Sequence, residues 1–227
     1  MAEVLDTFYW GGKRLLNRLY NRNPDSFFKK ISGIIHVGAN EGQERFYYAA
    51  CGLHVIWVEP IPEVFQRLQD NIQNYSKQKA YQYLLTDQNE TEHEFRVIGD
   101  DGESSSIYAL AQHQDIWPEI QTVKTLAIKS KTLPTMLANE NIDLSNYQGL
   151  VLDTQGSELL VLRGSQNILS RFTYIKAVAA DFHAYEGCCQ LNELVAFLKK
   201  YSFIERKRTQ FANHPNGGGY YDLIFSR

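Results

Sequence analysis

Apolar residues fall along the chain in short dense runs, separated by stretches in which they recur every third or fourth position. The dense runs read as strands at 31–37 (ISGIIHV), 54–58 (HVIWV), 80–85 (AYQYLL), 149–152 (GLVL), 174–180 (YIKAVAA) and 220–225 (YYDLIF). Runs apolar at nearly every position suit strands covered on both faces, as in a parallel sheet. The stretches between them read as helices. Residues 43–51 (QERFYYAAC) stop at Gly52, a residue suited to a helix C-terminus. Residues 62–75 open on Pro62 and repeat apolar side chains at Val64, Phe65, Leu68 and Ile72. Residues 157–169 hold Leu159, Leu160 and Leu162, interrupted at Gly164, and residues 191–201 put Leu194, Val195, Leu198 and Tyr201 on one stripe. Strand alternating with helix implies crossover connections and a doubly wound, mostly parallel α/β sheet.

Two regions depart from this rhythm. Residues 91–136 carry alternating segments (EHEFRVI, TVKTLAI) around the polar loop GDDGESSS and predict an antiparallel insertion. The serines at 104–106 either flank a pocket or solvate that insertion. The end of the chain, FIERKRTQF, HPNGGG and YYDLIFSR, predicts a hairpin that adds one antiparallel C-terminal strand to the sheet. The glycines at 217–219 lack a following helix and a Lys-Ser/Thr pair, so they read as a turn and not as a phosphate-cradling loop. The first thirty residues predict a helical extension carrying Lys13, Arg14, Arg18 and Arg22, before a main domain at 31–227. The extension reads as a solvated charged face, with a lid or a homodimer contact as the alternative.

Composition narrows the partners. A chain of 227 residues that is 44% hydrophobic can bury a core, and its formal net charge of −3 gives no pull towards nucleic acid or an anionic membrane. No apolar run approaches the ~18 to 20 residues of a membrane span, and the N-terminus lacks the basic start and apolar centre of a secretion signal. A cytoplasmic location is expected. Cys51, Cys188 and Cys189 are odd in number and two are adjacent, which predicts reduced structural thiols.

The candidate chemistry gathers where strands end. The first strand runs into Gly38-Ala39-Asn40-Glu41-Gly42 and then a helix, a place where backbone approaches a ligand closely. The second ends at Glu59-Pro60, with Glu59 21 positions after Gly38, close to the ~20-residue offset at which a carboxylate meets a ribose diol. A dinucleotide fingerprint requires glycine where Asn40 stands, so an NAD-type oxidoreductase is disfavoured. S-adenosylmethionine carries no phosphate and is compatible with this turn. The third run leads to Asp87, a candidate for the adenine edge or simply a turn residue in DQNE.

The fourth run ends at Asp153, which could accept or orient the proton of a substrate hydroxyl. Gln155 and Gly156 lead into the next helix, with Ser157 as its cap or Glu158 at its positive end. The fifth run ends at Asp181-Phe182-His183, which would bring Asp181 and His183 beside Asp153 as further catalytic candidates, the imidazole as base. For His183 an ordinary polar loop position is the competing reading. Asp153, Asp181 and His183 could together bind a divalent cation, but no ligand-spaced motif supports one and no metal is expected.

Several pieces recur in a known order: IIHVGANEGQE, VIWVEPIPEVFQRLQDNI, GESSSIY, the Thr-Leu of SKTLPTM, VLDTQGSELLVLRG and YEGCCQLNELVAFLKKYSF. In these the chain resembles the FkbM family of S-adenosylmethionine-dependent methyltransferases, over about 31–225. The resemblance implies a Rossmann-like class I methyltransferase fold, S-adenosyl-L-methionine as donor, and O-methylation of a saccharide or secondary-metabolite hydroxyl. It implies Gly38, Asn40, Gly42, Glu59 and Asp87 for the cofactor, with Ala39 and Pro60 inside the same motifs, and Asp153 for the reaction side. His36 stands where many members have Asp, which loosens the methionine end of the site. Gln155 stands where many have Glu, and the fifth strand reads AVAADFH where relatives often carry Glu-Val. The alternative, suggested by Gln155 and the basic extension, is a cofactor-binding regulatory or interaction module that no longer catalyses.

Overall fold

The structure, a computed structural model, describes residues 26–227. Up to residue 25, the helical extension expected over the first thirty residues lies outside the described residues. Ser26–Lys30 form one 3-10 turn that buries Phe27 and Phe28, the former stacked on Tyr174 at 4.9 Å.

The elements are β1 (Gly33–Val37), α1 (Arg45–Ala50), β2 (His54–Val58), α2 (Pro62–Ile72), β3 (Gln78–Tyr81), β4 (Leu84–Leu85), β5 (Glu92–Ile98), β6 (Thr122–Lys131), α3 (Leu133–Asn139), β7 (Gly149–Leu152), α4 (Glu158–Gly164), β8 (Tyr174–Ala180), α5 (Leu191–Lys200), β9 (Ile204–Asn213) and β10 (Gly219–Ser226). Local chemistry starts several helices. Pro62 opens α2, and the Thr132 side chain accepts from the Thr135 amide at the start of α3. Gln190 and Glu193 cap α5 reciprocally.

Seven strands form one sheet in the order β3-β2-β1-β7-β8-β10-β9, and only β10 opposes the common direction. Period-2 alternation explains the dense apolar runs. Ile35, Val37, Ile56, Val58, Leu150 and Leu152 face α3, α4 and α5, while Ile34, Val55, Trp57 and Val151 face α1, α2 and the Phe27–Phe28 pair. Both faces are covered, so both must be apolar. The strand order reverses between β1 and β7, and a crevice forms outside the carboxyl ends of the strands at such a switch point.

The expected single strand over 80–85 is divided. β3 stays in the main sheet and ends at Tyr81, whereas β4 pairs in parallel with β6. A small sheet of order β4-β6-β5 results, and it packs Leu84, Phe95 and Val97 against Ile61 and Val64 at the start of α2. The alternating segments of the insertion are its antiparallel pair, β5 and β6. Residues 133–136, read above as part of the insertion, instead begin α3, whose Leu133, Met136 and Leu137 join the main core. Among the described residues no helix is long and apolar enough to cross a membrane.

Candidate active site

The turn after β1 is held by the sheet it leaves. The amides of Gly38 and Ala39 donate to the Val58 carbonyl at 3.0 and 3.1 Å, and the Asp153 amide donates to Val37 at 3.0 Å. Gly38 has φ +77°, and a Cβ added there would lie 2.1 Å from the Asp153 carbonyl oxygen. Only glycine satisfies both the turn and that approach. Gly42 serves packing: its added Cβ would meet the Leu68 side chain of α2 at 2.7 Å.

Asn40, also at positive φ, is spent on the loop itself. Its Oδ1 accepts from the Glu41 amide and from Gln43 Nε2, each at 2.7 Å, and its Nδ2 donates to the Asp101 carbonyl at 3.0 Å. It thereby ties the insertion to the turn. From the other side α2 grips the turn through an Arg67–Glu41 ion pair and an Asn71-to-Glu41 hydrogen bond.

Glu59 reaches the same turn. Its Oε2 accepts from the Asn40 amide at 2.9 Å and its Oε1 from the Ile61 amide at 3.0 Å. Burial pushes its pKa up to about 7, against the lowering effect of those two amides and of Arg67.

A cavity of about 680 Å³ opens over the ends of β1 and β7. Its floor is His36, Gly38, Ala39, Asn40, Asp153 and Gln155; Ser104, His113 and Trp117 come from the insertion, and 209–213 with Tyr220 from the terminal hairpin. Because β10 runs against its neighbours, its beginning lies at the rim where the other strands end. Three lining residues are carboxylates (Glu44, Glu103, Asp153), and none of the described lining residues is Lys or Arg.

The sequence candidates divide accordingly. His36, Gly38, Ala39, Asn40 and Asp153 line the cavity, His36 stacked on Trp57 at 5.1 Å. Gly42, Glu59, Pro60 and Asp87 are not among its described lining residues. Glu59 sits beneath the turn, and Asp87 follows β4 away from the main sheet, its backbone against Gly164. Asp181 and His183 are not brought to Asp153 either. Leu152 pairs with Ala177, which sets Asp153 level with Val178, and Asp181 lies three residues, about 10 Å, further on. The Asp181 carboxylate accepts instead from the Gly219 amide at 2.7 Å and the Tyr221 hydroxyl at 3.0 Å, which fastens the hairpin. His183 is exposed beside Gln190.

The serine loop flanks the pocket. Ser104, Ser105 and Ser106 are buried, with Ser106 Oγ donating to the Gln155 carbonyl at 2.8 Å and Ser105 Oγ accepting from the Ile98 amide. Gln155, at positive φ, donates from Nε2 to Asp153 Oδ1 at 2.8 Å and accepts from the Tyr185 hydroxyl at 3.0 Å. At α4 it is Glu158, and not Ser157, that closes the turn: its carboxyl accepts from the amides of Thr154 and Gly156. Burial first, and the nearby Asp153 charge, raise the Glu158 pKa to about 7.

His113, Trp117 and Tyr220 were not singled out from sequence. Tyr220 had a signal, since it opens the one reversed strand. His113 and Trp117 had none, because an insertion carries no strand-end rule. Among the described residues no group of three or more His, Cys, Asp or Glu is arranged to hold a metal ion.

A sheet of this order with one reversed strand, and a crevice at its switch point, is the class I methyltransferase fold. The chain belongs to the FkbM methyltransferase family, whose domain model, Methyltransferase FkbM domain, matches residues 36–205. It is similar to the 2-O-methyltransferase NoeI of Sinorhizobium fredii, with 21% identity over 182 residues, 75% of this chain and 72% of that protein. Among solved structures it resembles a mutant of MtNAS in complex with S-adenosylmethionine, at TM-score 0.50 and 11% identity, covering 99% of this chain and 65% of that one. The METTL16 methyltransferase domain matches at TM-score 0.49 and 12% identity, over 98% of this chain and 66% of that one.

Proposed function

We propose that the chain transfers a methyl group from S-adenosylmethionine to a hydroxyl oxygen of a small molecule, a saccharide or secondary metabolite. The observation that carries this reading is the hydrogen bond that joins Glu59, at the end of β2, to the Gly38–Asn40 turn, whose residues line a cavity at the switch point of the sheet. The volume is that of a ligand site.

The residues fit the donor. The Gly38–Asn40 backbone would hold its amino-acid end, and the carboxyl of Glu59, fixed on two amides, retains acceptor capacity for a ribose diol. Asp153, on the cavity floor, would lie towards its sulfonium end. When bound, S-adenosylmethionine supplies an electrophilic methyl group on a sulfonium. The protein's contribution is then mostly alignment, worth up to ~7 to 11 kcal/mol for well-placed reactants. The likeness to a 2-O-methyltransferase supports oxygen as the methylated atom.

Calorimetric titration with S-adenosylmethionine, S-adenosylhomocysteine and NADH tests the reading. Both sulfur compounds should bind and NADH should not; binding of NADH alone would remove it.

A further inference from the structure

His113 and Tyr220 meet in the cavity wall from positions 107 residues apart, Nδ1 of the imidazole 2.6 Å from the phenol oxygen. The other ring nitrogen, Nε2, lies 3.2 Å from Ser104 Oγ. Both side chains are buried, 2% exposed for His113 and 5% for Tyr220, and both line the cavity that holds Asp153. The phenol ring is fixed on several sides: edge-on to Phe182 at 5.1 Å, tilted against Trp117 at 5.6 Å and stacked on Phe211 at 5.8 Å. Three separate parts of the chain, the serine loop, the turn after it and the reversed strand, thus converge on one polar pair beside the aromatic rings of Trp117, Phe182 and Phe211. A structural tyrosine needs one partner for its hydroxyl. Here the residue that carries the hydroxyl also lines the ligand cavity.

We propose that Tyr220 is the catalytic residue that receives the proton of the acceptor hydroxyl, and that His113, acting through it, takes up the phenol's own proton. The inference rests on the methyltransferase reading above. As the acceptor oxygen bonds to the methyl carbon, the carbon–sulfur bond breaks and its electron pair stays on sulfur. The acceptor's proton passes to Tyr220 Oη while the Tyr220 proton moves to His113 Nδ1. The imidazole becomes imidazolium and the phenol ends as it began. The relay uses the tautomer in which Nε2–H donates to Ser104 Oγ and Nδ1 is left as the acceptor. Tyr220 needs such a partner because burial holds its pKa well above the ordinary phenol range, so it cannot act as a free phenolate. Asp181 and His183, which are not among the described lining residues, are not required.

Two measurements test the relay. The first needs neither cofactor nor acceptor: ¹⁵N spectra of the imidazoles, with His113 assigned by comparison with His113→Gln. An unprotonated Nδ1 and a protonated Nε2 are expected, with the Nδ1 resonance moving in Tyr220→Phe; the opposite tautomer overturns the relay. The second follows S-adenosylhomocysteine release with methyl glycosides of common hexoses and deoxyhexoses as probe acceptors. Tyr220→Phe and His113→Gln should each lower kcat by ~10² to 10⁴-fold, the range of a general base. Cofactor affinity should be kept in both. Because the two act as one unit, the double variant should be no slower than the worse single one. Losses that multiply, or single variants as fast as wild type, overturn the relay and leave the methyltransferase reading standing. A wild type that binds S-adenosylmethionine but releases product with no probe also overturns it, and one that binds neither sulfur compound overturns both.

Discussion

Glu59 Oε2 lies 2.9 Å from the backbone nitrogen of Asn40, so the end of β2 and the turn after β1 share a hydrogen bond. The carboxyl that would meet a ribose is therefore also part of the turn's own support. Its charge and the shape of the turn are coupled.

That coupling gives a pH dependence. Burial chiefly raises the pKa of both Glu59 and Glu158 from the ordinary 4.5 to about 7. The folded chain then binds more protons than the unfolded one between about pH 4.5 and 7, so stability is full below that window and is lost as pH rises through 7. At ~1.4 kcal/mol per pH unit, each group accounts for at most about 3.5 kcal/mol. Urea unfolding across the window should show a decline, reduced in Glu59→Gln and again in Glu158→Gln. S-adenosylhomocysteine affinity should rise over the same range, because the ionised Glu59 is the better acceptor for ribose hydroxyls. A flat stability profile would refute the shifts.

Two glycines at nearly equal φ separate strain from space. Gly38 has φ +77° and no room for a Cβ, while Gly52 has φ +74° and open space around it. Gly52→Ala should cost about 1 to 2 kcal/mol, the penalty of a left-handed L residue. Gly38→Ala should cost distinctly more, because the Asp153 carbonyl has to move with β7. Paired denaturation curves read the difference, and equal losses would contradict the close approach.

The strand-end acids should behave unlike one another. Asp153→Asn removes a carboxylate from the cavity floor and should weaken the sulfonium S-adenosylmethionine more than the uncharged thioether S-adenosylhomocysteine. Asp181→Ala should leave turnover within a few-fold of wild type and lower stability by about 1 to 3 kcal/mol, since it strips two donors of their acceptor. His183→Ala should change neither. A large turnover loss in His183→Ala would bring that residue back to the chemistry.

The adjacent thiols should be inert. Burial pushes up the pKa of Cys188 and, more strongly, of Cys189, which also sits near Glu158. Thiolate is the reactive form. Iodoacetamide at pH 8 should leave both unmodified in the folded chain and label them readily in urea; rapid labelling of the native chain would be inconsistent with this environment.

What the sequence determined by itself was everything governed by neighbours along the chain. β2, β7 and β8 begin and end where the apolar runs 54–58, 149–152 and 174–180 do, because a strand covered on both faces is apolar at nearly every position. The Gly38 turn and its partner Glu59 were legible for the same reason: a tight turn needs glycine, and the βαβ unit fixes how far away the next strand end falls.

Tertiary structure alone decided how far each strand end reaches and what covers the crevice. The run 80–85 divides because Leu84 and Leu85 find their partners in β6, some 45 residues away. Asp181 overshoots Asp153 because register, and not length, levels neighbouring strands. His113 and Tyr220 become neighbours only when an insertion and a reversed strand close over the same rim. Pairing across such distances is set by packing free energy summed over the whole fold, and no local pattern of residues records it.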